Sequence, residues 1–181
     1  MEPLATPEQI RQRWPNAPDC SCEACVGTCR RPGWFLPDEV RAAADYLGLT
    51  LQQFFVRYLV VDWWKEDAVE IPLLSPGKPD EHGQIASVEF THTFAECIFL
   101  KEGRCSIHPV KPHECKAAHH SRMGKRVGNV NHHHQVARAW MGEEGCALLR
   151  EVGYDPDLFE VPLPQFEDVL AKLLGIDLKG V

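Results

Sequence analysis

The sequence predicts an α+β fold in one small domain: a helical pair, a short β-hairpin or sheet, and clustered cysteines brought together at one edge. Three observations lead to this prediction. Residues typical of helix starts and ends punctuate the segment after residue 36, apolar segments with β-branched residues follow, and eight cysteines fall mainly into two groups. A chain of 181 residues is comfortable as one domain and only just long enough for two.

Two helices are predicted in the first half of the chain. Pro37 suits a first helical turn and Gly48 suits a C-cap, so the first helix is expected between them. Thr50 followed by Gln53 has the form of a capping box, which opens a second helix that we expect to run to about residue 63. The apolar residues of this second helix are expected to lie in the core.

β-Strands are predicted after the helical pair. Residues 69–74 and 85–94 are candidate strands on either side of a loop rich in proline and glycine. Residues 97–108 have the pattern of a β-hairpin with Gly103 in its turn. The hairpin would give the cysteines within it a rigid support.

The C-terminal part of the chain is predicted to be helical. Residues 136–152 suggest one helix, weakened in its middle by Gly142 and Gly145. The three consecutive histidines at 132–134 are expected on the surface at a helix start. Apolar residues of 164–174 share one helical face, so this tail is expected to dock as an amphipathic helix.

The domain organisation follows from these elements. We expect residues 1–19 to form an N-terminal arm, with a short helix near Pro7–Arg13. Residues 20–120 form the predicted cysteine-cluster domain. Residues 121–181 are predicted to be a C-terminal helical extension packed on the same domain.

Composition and charge restrict the functional class. Apolar residues make up 44% of the chain and charged residues 25%, as in globular proteins. The net charge of −7 makes nucleic-acid binding unlikely, since contacts to phosphate dominate that affinity. Arg57 and Asp62 interrupt the longest apolar run, and the N-terminus lacks the features of a secretory signal. We therefore expect no membrane association and a cytoplasmic location.

Six of the eight cysteines are predicted to bind metal. Disulfides are disfavoured in a reducing cytosol, so the cysteines of such a chain favour metal binding or redox chemistry. The spacing C-x2-C lets two thiolates hold one ion from a tight turn, and soft thiolates select zinc or iron–sulfur clusters. The alternative for the later cysteines is that they are small buried apolar residues. The predicted ligands are Cys22, Cys25, Cys29, Cys97, Cys105 and Cys115.

Other candidate ligands are ranked below these six. His108 follows Cys105 by three residues and is the best additional candidate, with His113 and His119 behind it. Cys20 adjoins the first group and is undecided. Cys146 stands alone on a predicted helix and is expected to pack in the core.

Three segments resemble the cysteine-cluster family of zinc- or iron-chelating domains that is named for a CxxCxxCC motif. They are residues 22–29 (CEACVGTC), the helical pair from 36 to about 58, and residues 97–115 (CIFLKEGRCSIHPVKPHEC). The resemblance covers roughly residues 20–120, and its closing segment is the most specific part. It implies a metal site and does not supply a reaction.

The chain departs from the family pattern at three places. Thr28 and Cys29 stand where the family has a cysteine doublet, and Cys20 is available to compensate. His108 replaces the usual tyrosine, and Lys111 replaces an arginine that precedes proline. The number of ligands, and with it the kind of centre, is therefore left open.

The predicted function is metal binding, with a centre that is structural or serves metal handling. Four of the thiolates would hold a tetrahedral zinc or a [4Fe–4S] cluster, and the remaining two would serve a second ion or stay free. The alternative is an iron–sulfur enzyme, or a subunit of one, for redox or group-transfer chemistry. A protein partner is also considered, with Trp63 and Trp64 as its anchor, although paired tryptophans are more often core residues.

Overall fold

The structure is a computed structural model that describes residues 4–66, 69–79, 85–86, 96–122 and 126–155. Within these ranges the chain forms α-helices and three two-stranded antiparallel sheets, so the α+β prediction is confirmed. The helices are α1 (Pro7–Arg13), α2 (Glu23–Cys29), α3 (Pro37–Tyr46), α4 (Leu51–Tyr58), α5 (His113–Ala117), α6 (Arg126–Ala139) and α7 (Glu143–Glu151). The strands are β1 (Leu59–Glu66), β2 (Val69–Pro76), β3 (Lys78–Pro79), β4 (Ile85–Ala86), β5 (Leu100–Lys101) and β6 (Arg104–Cys105), and short 3₁₀ helices cover His108–Val110 and His120–Arg122.

Capping boxes fix the starts of α1 and α4. The hydroxyl oxygen of Thr6 accepts the N–H of Gln9, whose side-chain oxygen accepts the N–H of Thr6 in return. Thr50 and Gln53 repeat this exchange at the start of α4, at distances of 3.1 and 3.2 Å. Each box satisfies two backbone donors that the first helical turn leaves unpaired. The predicted starts of these two helices are therefore confirmed.

The predicted end of the second helix is wrong. The helix stops at Tyr58, and residues 59–66 form β1, which pairs with β2 in an antiparallel register that sets Val61 opposite Leu74 and Trp64 opposite Ile71. The β-branched and aromatic residues of this segment favour a strand when a partner strand is near. Pairing with a later segment therefore overrides the helical pattern.

The predicted hairpin near Gly103 is confirmed. Strand β5 pairs with β6 so that Leu100 lies opposite Cys105. The two turn residues, Glu102 and Gly103, both have positive φ angles, 50° and 74°. That is the pattern of a two-residue turn whose twist matches the strands. Of the strand predicted at 85–94, residues 85–86 form β4, and the rest lies outside the described residues.

One apolar core joins the helical pair α3 and α4, the long hairpin formed by β1 and β2, and α7. Phe54 stacks on Phe99 at a ring separation of 6.1 Å, and the fully buried Leu149 of α7 belongs to the same cluster. The indole N–H of Trp140 donates to the carbonyl of Phe35 at 2.8 Å. This core holds the C-terminal helices against the first half of the chain.

The predicted helix at 136–152 is interrupted. Helix α6 ends at Ala139, and α7 starts again after Gly142, which is its N-cap. The predicted helix at 164–174 lies outside the described residues. None of the helices in the described part of the chain combines the length and the apolar composition that a membrane crossing needs.

Candidate metal centre

Helix α2 presents three of the predicted ligands. Cys22 is its N-cap, Cys25 lies one turn further on and is buried, and Cys29 is its last residue. Residues four apart lie on the same face of a helix, about one turn from each other. The thiols of Cys25 and Cys29 therefore point from one face towards two neighbouring places.

The N-terminal end of α2 meets a histidine from a distant segment. The sulfur atoms of Cys20, Cys22 and Cys25 each lie 3.5 Å from Nδ1 of His120. One donor atom each of Cys20, Cys25, His119 and His120 also lie within 4.8 Å of one another. We call these five residues, Cys20, Cys22, Cys25, His119 and His120, the Cys–His cluster.

The spacing in the Cys–His cluster fits a tetrahedral zinc ion. Zn–S bonds of about 2.3 Å and a Zn–N bond of about 2.05 Å at tetrahedral angles place sulfur and nitrogen about 3.6 Å apart. The three distances of 3.5 Å to His120 match this value. The donor set of thiols and imidazole is also the set that zinc takes in structural sites.

His119 is the fifth donor of the cluster. Its Nδ1 accepts the backbone N–H of Ser121 at 3.2 Å and lies 2.8 Å from the hydroxyl oxygen of Ser121. Its ring lies 4.0 Å from the ring of His120. Ser121 therefore fixes the orientation of His119 beside the cluster.

The thiols of the Cys–His cluster differ in acidity. The nearby backbone N–H of Cys25 and the thiol of Cys20 lower the pKa of Cys22 to about 7. Burial raises the pKa of Cys25 to about 11. Of these two thiols, that of Cys22 is therefore the more readily deprotonated at neutral pH. A metal ion that binds Cys25 would have to displace its proton.

The other four predicted ligands meet at the opposite end of α2. Cys29 ends α2, Cys97 precedes the short hairpin, Cys105 lies on β6, and Cys115 lies on α5. All four line one cavity of about 20 Å³. We call Cys29, Cys97, Cys105 and Cys115 the four-cysteine cluster.

The four-cysteine cluster is more widely spaced than the Cys–His cluster. Among the described residues, no three of its sulfur atoms lie within 4.8 Å of one another. Gly33 allows the close approach of the chain on one side, because a Cβ atom there would lie 3.0 Å from the sulfur of Cys115. The backbone N–H of Cys97 donates to the carbonyl of Arg30 at 3.0 Å, which ties Cys97 to the end of α2.

Burial favours the protonated form of three thiols of the four-cysteine cluster, those of Cys97, Cys105 and Cys115. It raises the pKa of Cys97 to about 11, raises that of Cys105, and raises that of Cys115 well above its ordinary value. The neighbouring thiols add to each of these pKa increases. A metal ion reverses this balance, since a coordinated thiol loses its proton.

A larger cavity of about 750 Å³ lies between the two clusters and is lined by cysteines of both. His133 also lines it, and its Nδ1 lies 2.5 Å from a carboxylate oxygen of the buried Glu114. The other carboxylate oxygen of Glu114 accepts the backbone N–H of Trp34 at 2.8 Å. The hydrogen bond that His133 donates to the carboxylate of Glu114 raises the pKa of His133. The cavity thus has thiols on one wall and a carboxylate-oriented imidazole on another.

Three weaker candidates from the sequence, His108, His113 and Cys146, belong to neither cluster. His108 is exposed, and its Nε2 lies 3.1 Å from Oδ1 of Asp19 and 3.1 Å from Nζ of Lys111. His113 is fully buried, and burial lowers its pKa to about 4. The thiol of Cys146 faces backbone carbonyls of residues 140 and 141.

The histidines at 132–134 do not form the expected surface patch. They lie within α6 rather than at its start, and His132 is buried and stacks on Trp14 at 4.9 Å. His120 is not among the ligands predicted from the sequence. The available signal was its position, five residues after Cys115 and next to His119.

Comparison with known proteins gives no match to a protein family, to a curated protein or to a solved structure.

Proposed function

We propose that the protein binds zinc through Cys20, Cys22, Cys25 and His120. The observation that supports this set is the equal distance of 3.5 Å from all three sulfurs to one imidazole nitrogen. These four ligands complete the tetrahedral coordination of one zinc ion. His119 then stands beside the ion and outside its tetrahedral ligand set.

The four-cysteine cluster is proposed as a second metal centre. Its four thiols converge from four different segments on one small cavity, and four thiolates are a complete ligand set for zinc. This assignment also agrees with the resemblance to the cysteine-cluster family, which has cysteines at the positions of Cys97, Cys105 and Cys115. The family membership is itself part of the proposal.

The two centres suit different tasks. The Cys–His cluster includes the exposed residues Cys22 and His120, so competing ligands reach its ion from solution. The thiols of the four-cysteine cluster are partly buried, and burial favours the protonated forms of Cys97, Cys105 and Cys115 without metal. We therefore assign metal exchange to the first centre and a structural role to the second.

Iron–sulfur chemistry is the second candidate function, and the spacing of the four-cysteine cluster favours it. A [4Fe–4S] cluster binds each thiolate at a different iron, so its four sulfurs stand farther apart than around one ion. The neighbouring cavity of about 750 Å³ would then admit a substrate, with His133 on its wall. This function would make the protein an enzyme, or a subunit of one, for redox or group-transfer chemistry.

We also propose a cytoplasmic location and no nucleic-acid partner. All eight cysteines are free thiols, which agrees with a reducing compartment. The net charge of −7 opposes binding to phosphate backbones. The exposure of the Cys–His cluster is compatible with a protein partner that exchanges metal with it.

Metal analysis together with an absorption spectrum tests the proposal, on untagged protein purified without oxygen. Two zinc ions per chain and no visible colour support the zinc proposal. A broad band in the blue, with iron and acid-labile sulfide, supports the iron–sulfur candidate instead. Protein that folds and retains neither metal, even after addition of zinc or reconstitution with iron and sulfide, contradicts both.

A further inference from the structure

Two short stretches of the chain each contribute to both clusters. Helix α2 gives Cys25 to the Cys–His cluster and Cys29 to the four-cysteine cluster. The second stretch gives Cys115 to the four-cysteine cluster and His120, five residues later, to the Cys–His cluster. The two clusters are therefore bridged twice, by one turn of helix and by five residues of chain.

Backbone hydrogen bonds hold the second bridging stretch in place. The N–H of Ala118 donates to the carbonyl of Glu114 at 3.0 Å, inside the second stretch. The N–H of Ala17 donates to the carbonyl of Lys116 at 2.7 Å, which ties the segment before Cys20 to that stretch. A displacement of one cluster is therefore transmitted to the other.

Helix α2 itself is too short to be stable alone. It has 7 residues, whereas isolated helices shorter than about 12–15 residues are marginal in water. Gly27 lies between Cys25 and Cys29 and further lowers the helical tendency. Metal bound to the cysteines at both ends of α2 would order the whole helix. Metal bound at one end alone would order part of the helix leading to the cysteine at the other end.

We propose that the two clusters take up metal as one cooperative unit, so that filling either raises the affinity of the other. This inference rests on the proposed function. The first ion orders α2 and the stretch from Cys115 to His120, and the second ion then binds to ligands that are already in place. By linkage, each site raises the affinity of the other by the same factor.

The test counts zinc ions per molecule by native mass spectrometry. Metal-free protein, kept reduced, receives one equivalent of zinc, and the fractions with zero, one and two ions are measured at equilibrium. Two independent sites leave at least half of the molecules with a single ion, and unequal sites leave more. A tenfold coupling between equal sites reduces that fraction to about one quarter. Between unequal sites the coupling reduces it below the fraction that independent sites of the same affinities leave, and the zinc affinities of His120→Ala and Cys115→Ala, each with one cluster disabled, give that reference fraction.

Gly27→Pro tests the route through α2. Proline removes a helical N–H and clashes with the carbonyl of the preceding turn, which breaks the helix between Cys25 and Cys29 without changing a ligand. The variant is expected to bind two zinc ions with a single-ion fraction above that of the wild type, because only the second stretch still couples the clusters. Gly27→Ala is the matched control, because a Cβ atom there meets nothing within 4 Å, and it should retain the low single-ion fraction.

The outcomes separate the inference from the proposed function. Wild-type protein that folds and binds no zinc contradicts the proposed zinc sites and the inference with them. Wild-type protein that binds two ions with the single-ion fraction of independent sites, as fixed by the affinities of His120→Ala and Cys115→Ala, overturns only the cooperativity. If Gly27→Pro does not fold, Ala118→Gly, which loosens the second stretch, takes its place. A variant in either stretch that keeps the wild-type fraction overturns the role of that stretch.

Discussion

The sulfur of Cys25 and Nδ1 of His120 lie 3.5 Å apart, although 95 residues separate them along the chain. The loop between them contains α3, α4, the long hairpin of β1 and β2, and α5. A link that closes so long a loop restricts the unfolded chain strongly. A zinc ion bound there, as proposed, would join the two ends, so metal binding and folding are expected to be coupled in this protein.

Removal of metal is therefore expected to destabilise the fold. Closing a loop of this length with a covalent cross-link is worth roughly 4–5 kcal/mol, and we expect a loss of about that size when a chelator strips the zinc. Urea unfolding, monitored by circular dichroism with and without chelator, measures this change in the free energy of unfolding. Coincident unfolding midpoints would show that the ion does not join the ends of the loop.

Replacement of His120 tests the proposed ligand set directly. His120→Ala removes the nitrogen that all three sulfurs surround, so the variant should bind about one zinc ion fewer per chain after dialysis. Cys146→Ser is the matched control, since Cys146 faces backbone carbonyls and belongs to neither cluster. Zinc content measured by mass spectrometry distinguishes the two. An unchanged zinc content in His120→Ala would exclude this histidine as a required ligand and direct attention to His119.

Replacement of Cys115 tests the second centre. Cys115→Ala, or Cys105→Ala, should lower both metal content and solubility, since the remaining three thiols no longer complete the site and its segments are less well fixed. Metal per chain and the soluble fraction after expression are the measurements, with Cys146→Ala as the control for loss of a thiol outside the clusters. Normal metal stoichiometry and normal folding in both variants would remove these cysteines from the ligand set.

Local features of the sequence were sufficient to predict several elements of the fold. The C-x2-C spacing predicts that Cys22 and Cys25 lie close together, although on a tight turn rather than at the start of a helix, and Gly103 marks the turn of the short hairpin. Both depend on residues that are neighbours along the chain. The capping box at Thr50 is local for the same reason, and it also appears as predicted.

Features that depend on distant segments were not predictable in this way. Spacing grouped Cys29 with Cys22 and Cys25, whereas the structure places it at the other end of α2, with Cys97 and other later cysteines. His120 reaches the first cluster only because the chain returns there after α5. The strand at 59–66 likewise requires its partner at 69–76. In each case the deciding contact joins segments whose meeting no local pattern specifies.

The pair of His133 and Glu114 predicts a pH-dependent contribution to stability. The folded state raises the pKa of His133, so the contribution is fully present below the unfolded pKa of about 6.5 and is lost as pH rises through the folded value. His133→Gln keeps a donor for Glu114 but cannot become charged. The free energy of unfolding of the wild type minus that of the variant should be larger near pH 5.5 than near pH 8.5, by up to about 1 kcal/mol. The value is modest because His133 is half exposed.

Comparison of the two proteins at each pH removes the effects that they share, including loss of metal in acid. Urea unfolding at both pH values supplies the four free energies. A difference between the wild type and His133→Gln that does not change with pH would show that the imidazole is not charged in this contact.

The connection between α6 and α7 should be intolerant of even one added methyl group. A Cβ atom on Gly145 would lie 2.5 Å from the carbonyl oxygen of Trp140 and 2.6 Å from its Cα, and backbone atoms in a packed core cannot move aside easily. Gly145→Ala is therefore expected to lower the free energy of unfolding by about 2–3 kcal/mol. Gly27→Ala, in open space, should be neutral or stabilising by up to about 1 kcal/mol. Urea unfolding of both variants with saturating zinc makes the comparison, and equal stabilities would mean that the turn at 140–142 opens to accommodate the methyl group.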